Sequence, residues 1–338
     1  MKKNKYLIIG AAGFIGSNVS EYLIRRNVDC LLVDNLSYGS SLSFYREYKK
    51  YFHIIDASNL DELRKVILKY QPQIIINFAA QSHVDRSISD PEAFIFNNLS
   101  VTYSILENIR HYISKNKKNK FNRFINISTD EVYGSVSRGK VNEDTNYFPN
   151  SPYSQSKASS DLLCRAYYKT YNIPSITLRL SNNYGPRQSV EKLIPNSLSR
   201  IFNKKKIGIY GKGLNIREWM YVEDTANIIF VTSKLNIPKY FILNISSGMA
   251  ISNNNLIKKI LEISFKQSLI ADLNLKKYFS YVKDRPGHDL RYAMDNKKFN
   301  KYFVKYRFTT LSEGIKKTIN WYMDNKEFIK ESRKNIKS

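Results

Sequence analysis

The segment Gly10-Ala-Ala-Gly13-Phe-Ile-Gly16 follows directly on the apolar run Tyr6-Leu-Ile-Ile and opens an amphipathic stretch from Ser17 to Arg26. A strand that turns through glycines into a helix constrains the chain more than any other feature. The first glycine permits a tight turn, the second lets the backbone approach a pyrophosphate, and the third allows close packing of helix on strand. The N–H groups that open the helix then face the anion. The spacing here is G-x-x-G-x-x-G. A second apolar run ends in Val33-Asp34, and Asp34 lies 18 residues beyond Gly16. A carboxylate at that place accepts the adenosine ribose hydroxyls, and its charge repels a 2′-phosphate, so the expected cofactor is NAD. Asp56, after the third predicted strand, is in reach of the adenine amine.

Strands are predicted at 6–10, 30–33, 53–55, 74–77, 124–128 and 175–179, with helices between them, including one after Pro91 and one over 153–171. Alternation of this kind over about 180 residues means a doubly wound parallel sheet, a Rossmann-like α/β fold. Residues 1–185 are read as the NAD-binding domain. Past Tyr184-Gly-Pro186, strand-like pieces (207–210, 241–245) mix with helical ones (224–234, 255–264, 311–325). This predicts a smaller C-terminal substrate-binding lobe over 186–325 that returns elements to the sheet. Residues 326–338 are a charged tail expected to fray.

Composition narrows the classes further. With 42% hydrophobic and 13% aromatic residues the chain is globular, not disordered. Cys30 and Cys164 cannot build a disulfide framework, and neither they nor His83 and His288 show metal-ligand spacing, so no metal site is expected. The basic start Lys2-Lys-Asn-Lys5 before an apolar run imitates a signal peptide, but three glycines interrupt the run and a helix continues it. No run approaches the ~20 apolar residues of a membrane span, and the expected location is the cytoplasm. The formal charge of +25 raises the question of nucleic acid. The lysines are scattered among asparagine and isoleucine with no nucleic-acid motif, so no such partner is expected. A basic surface also speeds capture of anionic nucleotides.

Ser128-Thr-Asp-Glu131 closes the fifth predicted strand, and Tyr153-Ser-Gln-Ser-Lys157 begins 22 positions after Glu131. Tyrosine and lysine at i, i+4 share one helix face. A phenol with a pKa of about 10 is a poor base at neutral pH, and a neighbouring ammonium favours its phenolate. The pair suits removal of a hydroxyl proton while hydride leaves for a nicotinamide. Alcohol oxidation needs no second acid and base. Asp130 and Glu131 add one of each, which elimination of water requires.

These segments resemble the extended short-chain dehydrogenase/reductase family, and most closely its dTDP-glucose 4,6-dehydratases. The resemblance continues through Ala79-Ala-Gln-Ser-His-Val-Asp-Arg-Ser87, Ser181-Asn-Asn-Tyr-Gly-Pro186 and Glu191-Lys-Leu-Ile-Pro195. It then runs through Ile216-Arg-Glu-Trp-Met-Tyr-Val-Glu-Asp224 and Asp284-Arg-Pro-Gly-His-Asp289, in family order over nearly the whole chain. It implies that Tyr153, held as phenolate by Lys157 and aided by Thr129, takes the proton of a hexose 4-hydroxyl. Glu131 would remove the carbon-5 proton, and Asp130 would protonate the departing 6-hydroxyl, leaving a 4-keto-6-deoxy sugar. It implies a dinucleotide held by Gly10, Gly13, Phe14, Ile15, Gly16, Asp34, Asn35, Ser37, Asp56, Ala57, Phe78, Ala79, Ala80, Ser82, Asn97, Tyr153, Lys157 and Asn183. It implies a nucleotide sugar held by Ser82, Thr129, Asn182, Glu191, Lys192, Leu193, Tyr210, Arg217, Arg285 and His288. Lys192, Arg217 and Arg285 would clamp the diphosphate and Tyr210 would stack on the base. Relatives pair as dimers, which implies a homodimer through helices near 92–115 and 153–171.

Gln81 stands where the family often has glutamate, and Val101 where a glycine is common. Asn244-Ile-Ser-Ser-Gly-Met-Ala-Ile-Ser252 resembles the matching segment of epimerases and UDP-sugar enzymes, which leaves thymine and uracil open. The alternatives are a UDP-glucose 4,6-dehydratase, a UDP-hexose 4-epimerase and a UDP-glucuronate decarboxylase.

Overall fold

A computed structural model describes residues 4–115 and 120–337. The first half runs β1 (Lys5–Ile9), α1 (Phe14–Ile24), β2 (Asp29–Asp34), α2 (Leu42–Tyr48), β3 (Phe52–Ile54) and α3 (Leu60–Tyr70). It continues with β4 (Ile74–Asn77), α4 (Val84–Ser89), α5 (Pro91–Lys115), β5 (Arg123–Thr129), α6 (Pro152–Tyr171) and β6 (Ser175–Leu180). The second half holds β7 (Asn182–Tyr184), α7 (Leu193–Phe202), β8 (Ile207–Tyr210), β9 (Ile216–Tyr221), α8 (Val222–Thr232) and β10 (Tyr240–Ile245). It ends with β11 (Ala250–Ser252), α9 (Asn253–Lys266), α10 (Leu275–Tyr278), β12 (Phe279–Val282), α11 (Lys297–Tyr302), α12 (Leu311–Asp324) and α13 (Lys326–Lys337).

Seven strands form one sheet in the order β3-β2-β1-β4-β5-β6-β10, with every pair parallel. Parallel central strands are covered on both faces, which is why they read as unbroken apolar runs such as Ile74-Ile-Ile. Tyr6, Ile8 and Leu32 pack on one face with Val19 of α1 and Ile228 of α8. Leu7, Ile9 and Val33 pack on the other with Leu63 of α3, Ile105 of α5 and Cys164 of α6. The sheet is therefore doubly wound, as expected. Both α8 and β10 come from the second half of the chain. Two small sheets, β11-β9-β7 and β12-β8, and a separate apolar cluster around Leu198, Leu256 and Ile319 build the rest.

The structure corrects the reading of the C-terminal tail. Residues 326–337 are helical, and Phe328 and Ile329 are buried against the second cluster, with the Phe328 ring 5.2 Å from Trp321. Further along, Ser332 accepts from the Val190 amide at 3.2 Å and Arg333 donates to Ser199 at 2.6 Å. Two adjacent apolar residues in a charged segment were enough to dock it. Among the described residues no helix is long and apolar enough to cross a membrane.

Candidate active site

The helices following β1 and β4 leave the sheet towards opposite faces, and a crevice opens at the carboxyl ends of these strands, where open α/β sheets bind ligands. Gly10, at the end of β1, has φ +74, and a Cβ there would lie 2.3 Å from the Ala79 amide nitrogen. A Cβ on Gly16 would lie 2.1 Å from the Gly10 carbonyl. Gly13 caps α1 without any side-chain bond, so the amides of the first helical turn stay open to an anion. At the end of β2 the Asp34 carboxylate accepts from the Ala12 amide at 2.8 Å, the Leu36 amide at 2.8 Å and the Ser40 hydroxyl at 2.9 Å. Burial raises its pKa and those three bonds oppose the rise. Glycines too crowded for a side chain, open helix amides and a fixed acid fit a dinucleotide.

The catalytic candidates meet in the same crevice. Thr129 ends β5, and its hydroxyl accepts from the Glu131 amide and donates to Asp130 Oδ1, each at 3.2 Å. Asp130 is 3% exposed and its Oδ2 is buried without a partner. Burial first, then the neighbouring Glu131, push its pKa well above the usual carboxylate range. Burial also raises Glu131, but Arg285, Lys192 and Arg217 pull the other way. The two acids thus occupy different electrostatic surroundings. Tyr153 sits in the first turn of α6, whose start is fixed by Pro152 and by reciprocal bonds between Ser151 and Ser154. Burial, Glu131 and Asp130 raise the Tyr153 phenol, opposed by a hydrogen bond with Thr129. Both carboxyl groups thus act against a phenolate at this hydroxyl. Lys157 itself is buried, which lowers its pKa, and Asp161 opposes that.

The crevice lining contains Gly10, Gly13, Phe14, Ile15, Gly16, Asp34, Asn35, Ser37, Asp56, Ala57, Phe78, Ala79, Ala80, Ser82, Asn97 and Asn183. It also contains Thr129, Asp130, Glu131, Tyr153, Lys157, Asn182, Glu191 and Lys192. Five expected substrate residues lie off this lining. Leu193 opens α7 and packs on the second core. Arg285 donates to Asp85 at 3.1 Å, and Tyr210, 41% exposed, donates to the same carboxylate at 3.1 Å. Burial raises Asp85, but the Arg285 charge and these bonds outweigh it and leave its pKa low. His288 pairs with Asp284 at 2.6 Å, and Arg217 donates to the Asp289 carbonyl at 2.7 Å. Lys192 donates to the Ser82 carbonyl at 2.9 Å. Through Arg285, Lys192 and Arg217 this group still reaches Glu131 electrostatically.

Sequence reading missed Tyr38, Ser40, Gln188 and Ser189, which line the crevice. Tyr38 and Ser40 follow Asp34 closely, and Gln188 follows the Tyr184-Gly-Pro segment, so proximity to known motifs was the available signal. His83 also lines it and caps α4 through Nδ1, at 3.3 Å from the Arg86 amide. Burial and Lys192 push its pKa down to about 4, so it is neutral. The segment 244–252 is tied to β9, with Ser246 donating to Glu218 at 2.6 Å and Ser247 to the Trp219 carbonyl at 2.7 Å.

A family model described as GDP-mannose 4,6 dehydratase matches residues 7–318. The dTDP-glucose 4,6-dehydratase of Salmonella typhimurium is 39% identical over 99% of this chain and 96% of its own length. Among solved structures, a dTDP-glucose 4,6-dehydratase from Bacillus anthracis in complex with NAD is 34% identical, with a TM-score of 0.85 over 97% of this chain and 99% of that one. The enzyme of the same name from Streptomyces venezuelae, with NAD and TYD bound, is 31% identical, with a TM-score of 0.87 over the same shares. The family model and the relatives cover the glycine turn, the acid pair and the tyrosine–lysine helix alike, and the chain belongs to the GDP-mannose 4,6 dehydratase family, alongside its dTDP-glucose 4,6-dehydratase relatives.

Proposed function

We propose that this chain is an NAD-dependent hydro-lyase that converts dTDP-glucose to dTDP-4-keto-6-deoxyglucose. The observation that carries the reading is the placement of Asp130 and Glu131 at the end of β5, in one crevice with Tyr153, Lys157 and the glycine turn. The relatives named above are all dehydratases of this substrate class, which favours elimination over epimerisation or decarboxylation.

NAD, when bound on the glycine turn and Asp34, supplies a reversible hydride acceptor and is unchanged over a full cycle. Tyr153 takes the proton of the 4-hydroxyl as carbon 4 becomes a ketone, with Lys157 offsetting the negative charge on the phenol oxygen. The ketone acidifies the carbon-5 proton, which Glu131 removes. Once water has left, the hydride taken from carbon 4 would end on carbon 6 and the proton return to carbon 5, which completes the 4-keto-6-deoxy sugar. Burial raises the Glu131 carboxyl, and the cations around it offset part of that rise, which favours the ionised form that a base requires. Asp130 donates its proton to the departing 6-hydroxyl, which leaves as water. Its burial and unpartnered Oδ2 suit a carboxyl kept neutral for that purpose. Lys192, Arg217 and Arg285 are read as the diphosphate clamp.

The second half of the chain is read as the lobe that covers the sugar nucleotide. Phe96, Tyr103 and Leu162 are exposed on α5 and α6, and such an apolar face supports a homodimer through these helices. Two buried free thiols suit a reducing cytoplasm. Incubation with dTDP-glucose and, separately, UDP-glucose tests the reading. Loss of one water, faster from dTDP-glucose, is expected; unchanged mass with bound NAD present would point to an epimerase.

A further inference from the structure

Two of the expected substrate residues outside the crevice lining share one carboxylate. Tyr210 closes β8, and Arg285 follows β12, the parallel partner strand in which Val282 stands opposite Tyr210. The turn after β12 folds back on this strand end. Asp284 accepts from the Arg285 amide at 2.9 Å and from His288, whose ring stands edge-on to Tyr210 with centroids 6.2 Å apart. Tyr210, Arg285 and His288 thus form one group on the second half of the chain, and α4 of the first half meets it through Asp85. Asp85 Oδ1 accepts from Arg285 Nη1, and Oδ2 accepts from the Tyr210 hydroxyl, each at 3.1 Å. The helix that carries Asp85 is itself fixed: His83 caps it, Val84 and Ser87 are buried, and Ser87 donates to the Val84 carbonyl at 2.7 Å. The Arg285 and Asp85 side chains are 20% and 34% exposed, and ion pairs so placed add little to stability. Their position gives the pair another use.

We propose that Asp85 is a positioning residue for the nucleotide end of the substrate: its two carboxyl oxygens set the Arg285 guanidinium and the Tyr210 ring in advance for a pyrimidine nucleoside diphosphate. This rests on the clamp role proposed for Arg285 and on the stacking role that the resemblance implies for Tyr210. A guanidinium has five N–H donors in a fixed fork. Asp85 takes one of them and Nε is without a partner, so donors remain for phosphate oxygens. A bond at the hydroxyl fixes a phenol by its tip and leaves its faces free for a base, and Tyr210 is 41% exposed. Ordering side chains on binding costs affinity, most of all for rotamer-rich ones such as arginine, and ordering them beforehand removes that cost. Burial raises the Asp85 carboxyl, but the Arg285 charge and the two bonds outweigh it, so the group stays the ionised acceptor that both donors need. Three residues earlier, the Ser82 carbonyl accepts from Lys192 at 2.9 Å. The segment from Ser82 to Asp85 therefore holds two cations of the clamp.

The test compares Asp85→Ala, Asp85→Asn, Tyr210→Phe, Arg285→Ala and the double variant Asp85→Ala with Tyr210→Phe. Each is titrated calorimetrically with dTDP, with UDP and with NAD, and assayed for kcat, KM and thermal midpoint. Asp85→Ala should weaken binding of the preferred diphosphate at least about tenfold and raise KM to match, while kcat changes less than about threefold. Asp85→Asn keeps one acceptor and should fall between this variant and the wild type. Tyr210→Phe keeps the ring and loses only the tie, and should weaken binding about threefold. The loss in the double variant should be smaller than the product of the single losses, because both changes remove the same bond. NAD affinity should stay within about twofold throughout. Should the alanine variant not fold, Asp85→Asn and Tyr210→Phe carry the same comparison. Wild-type diphosphate affinity in the Asp85 variants overturns the proposal. Tighter binding overturns it as well and makes Asp85 a competitor of the diphosphate for Arg285. Equal losses of NAD and diphosphate affinity with a lowered thermal midpoint also overturn it, and leave Asp85 as a tie between the two halves. If Arg285→Ala is impaired while the Asp85 variants are not, the proposal alone falls. If Arg285→Ala binds the diphosphate as the wild type does, the clamp reading falls with it.

Discussion

Asp130 and Glu131 are consecutive residues, both raised in pKa by burial, with unequal electrostatic company. Asp130 is enclosed, with one carboxyl oxygen unpartnered and Glu131 beside it, while Glu131 is the focus of three basic side chains. A single Thr129 hydroxyl bonds to both, accepting from one amide and donating to the other carboxyl. The strand end thereby gives two like groups different surroundings, which suits the acid and base roles proposed for them.

Asp130→Asn should become progressively more stable than the wild type as pH rises. A carboxyl whose folded pKa is raised favours the fold below its unfolded value of 3.8, and that contribution is lost as pH climbs through the folded value. The difference in thermal midpoint should widen as pH rises above about 4. A difference independent of pH would place Asp130 in an ordinary solvated setting.

Glu131→Gln should lower dehydration by about a hundredfold or more, because an amide cannot accept the carbon-5 proton. NAD content of the purified variant should equal that of the wild type. Wild-type water loss, followed by product mass, would remove Glu131 from the mechanism.

Gly16→Ala should harm the cofactor cradle directly. Its methyl would lie 2.1 Å from the Gly10 carbonyl, which sits in backbone and cannot swing away. Overpacking of this kind costs about 1–3 kcal/mol, to be read in the NAD dissociation constant and in the thermal midpoint. A variant with wild-type values for both would mean that helix and turn can separate freely.

Phe328→Ala should destabilise the protein by about 3 kcal/mol in urea unfolding, since a buried ring against Trp321 and Tyr322 is lost. A change under about 0.5 kcal/mol would mean that α13 detaches in solution.

Phe96→Asp combined with Tyr103→Asp should yield a monomer in analytical ultracentrifugation at micromolar protein. Two charges on an apolar face cannot be buried against a second copy without a large desolvation cost. A dimer that persists would locate the interface elsewhere.

The sheet, the glycine turn and the acid pair were legible because each is written in local spacing. Asp34 follows its glycines at a fixed interval, and Tyr153 precedes Lys157 by one helical turn. The surroundings that tune them were not legible in that way. Arg285 meets Asp85 across 200 positions, and Lys192 meets the Ser82 carbonyl across 110. Nothing local marks such pairs. Arg179 did leave a trace, as a charge inside the apolar strand Ser175-Ile-Thr-Leu-Arg-Leu180, but its partners come from three other segments. The tail misled because charge outweighed Phe328 and Ile329 in its composition.

β10 pairs with all six residues of β6, from Tyr240 against Ser175 to Ile245 against Leu180. A chain leaving the ribosome therefore carries the open edge of β6 until residue 245 has been made. Unpaired strand edges are templates for other chains. A fragment ending near residue 185 would expose that edge permanently, and it would also lack the α8 residues that cover Tyr6 and Ile8. Such a fragment should self-associate instead of folding as a free-standing nucleotide binder. Long-range pairing of this kind also slows folding, because the loop must close before the strand contributes. Gene fusions and split-protein designs built on this scaffold should keep residues 1–245 on one polypeptide.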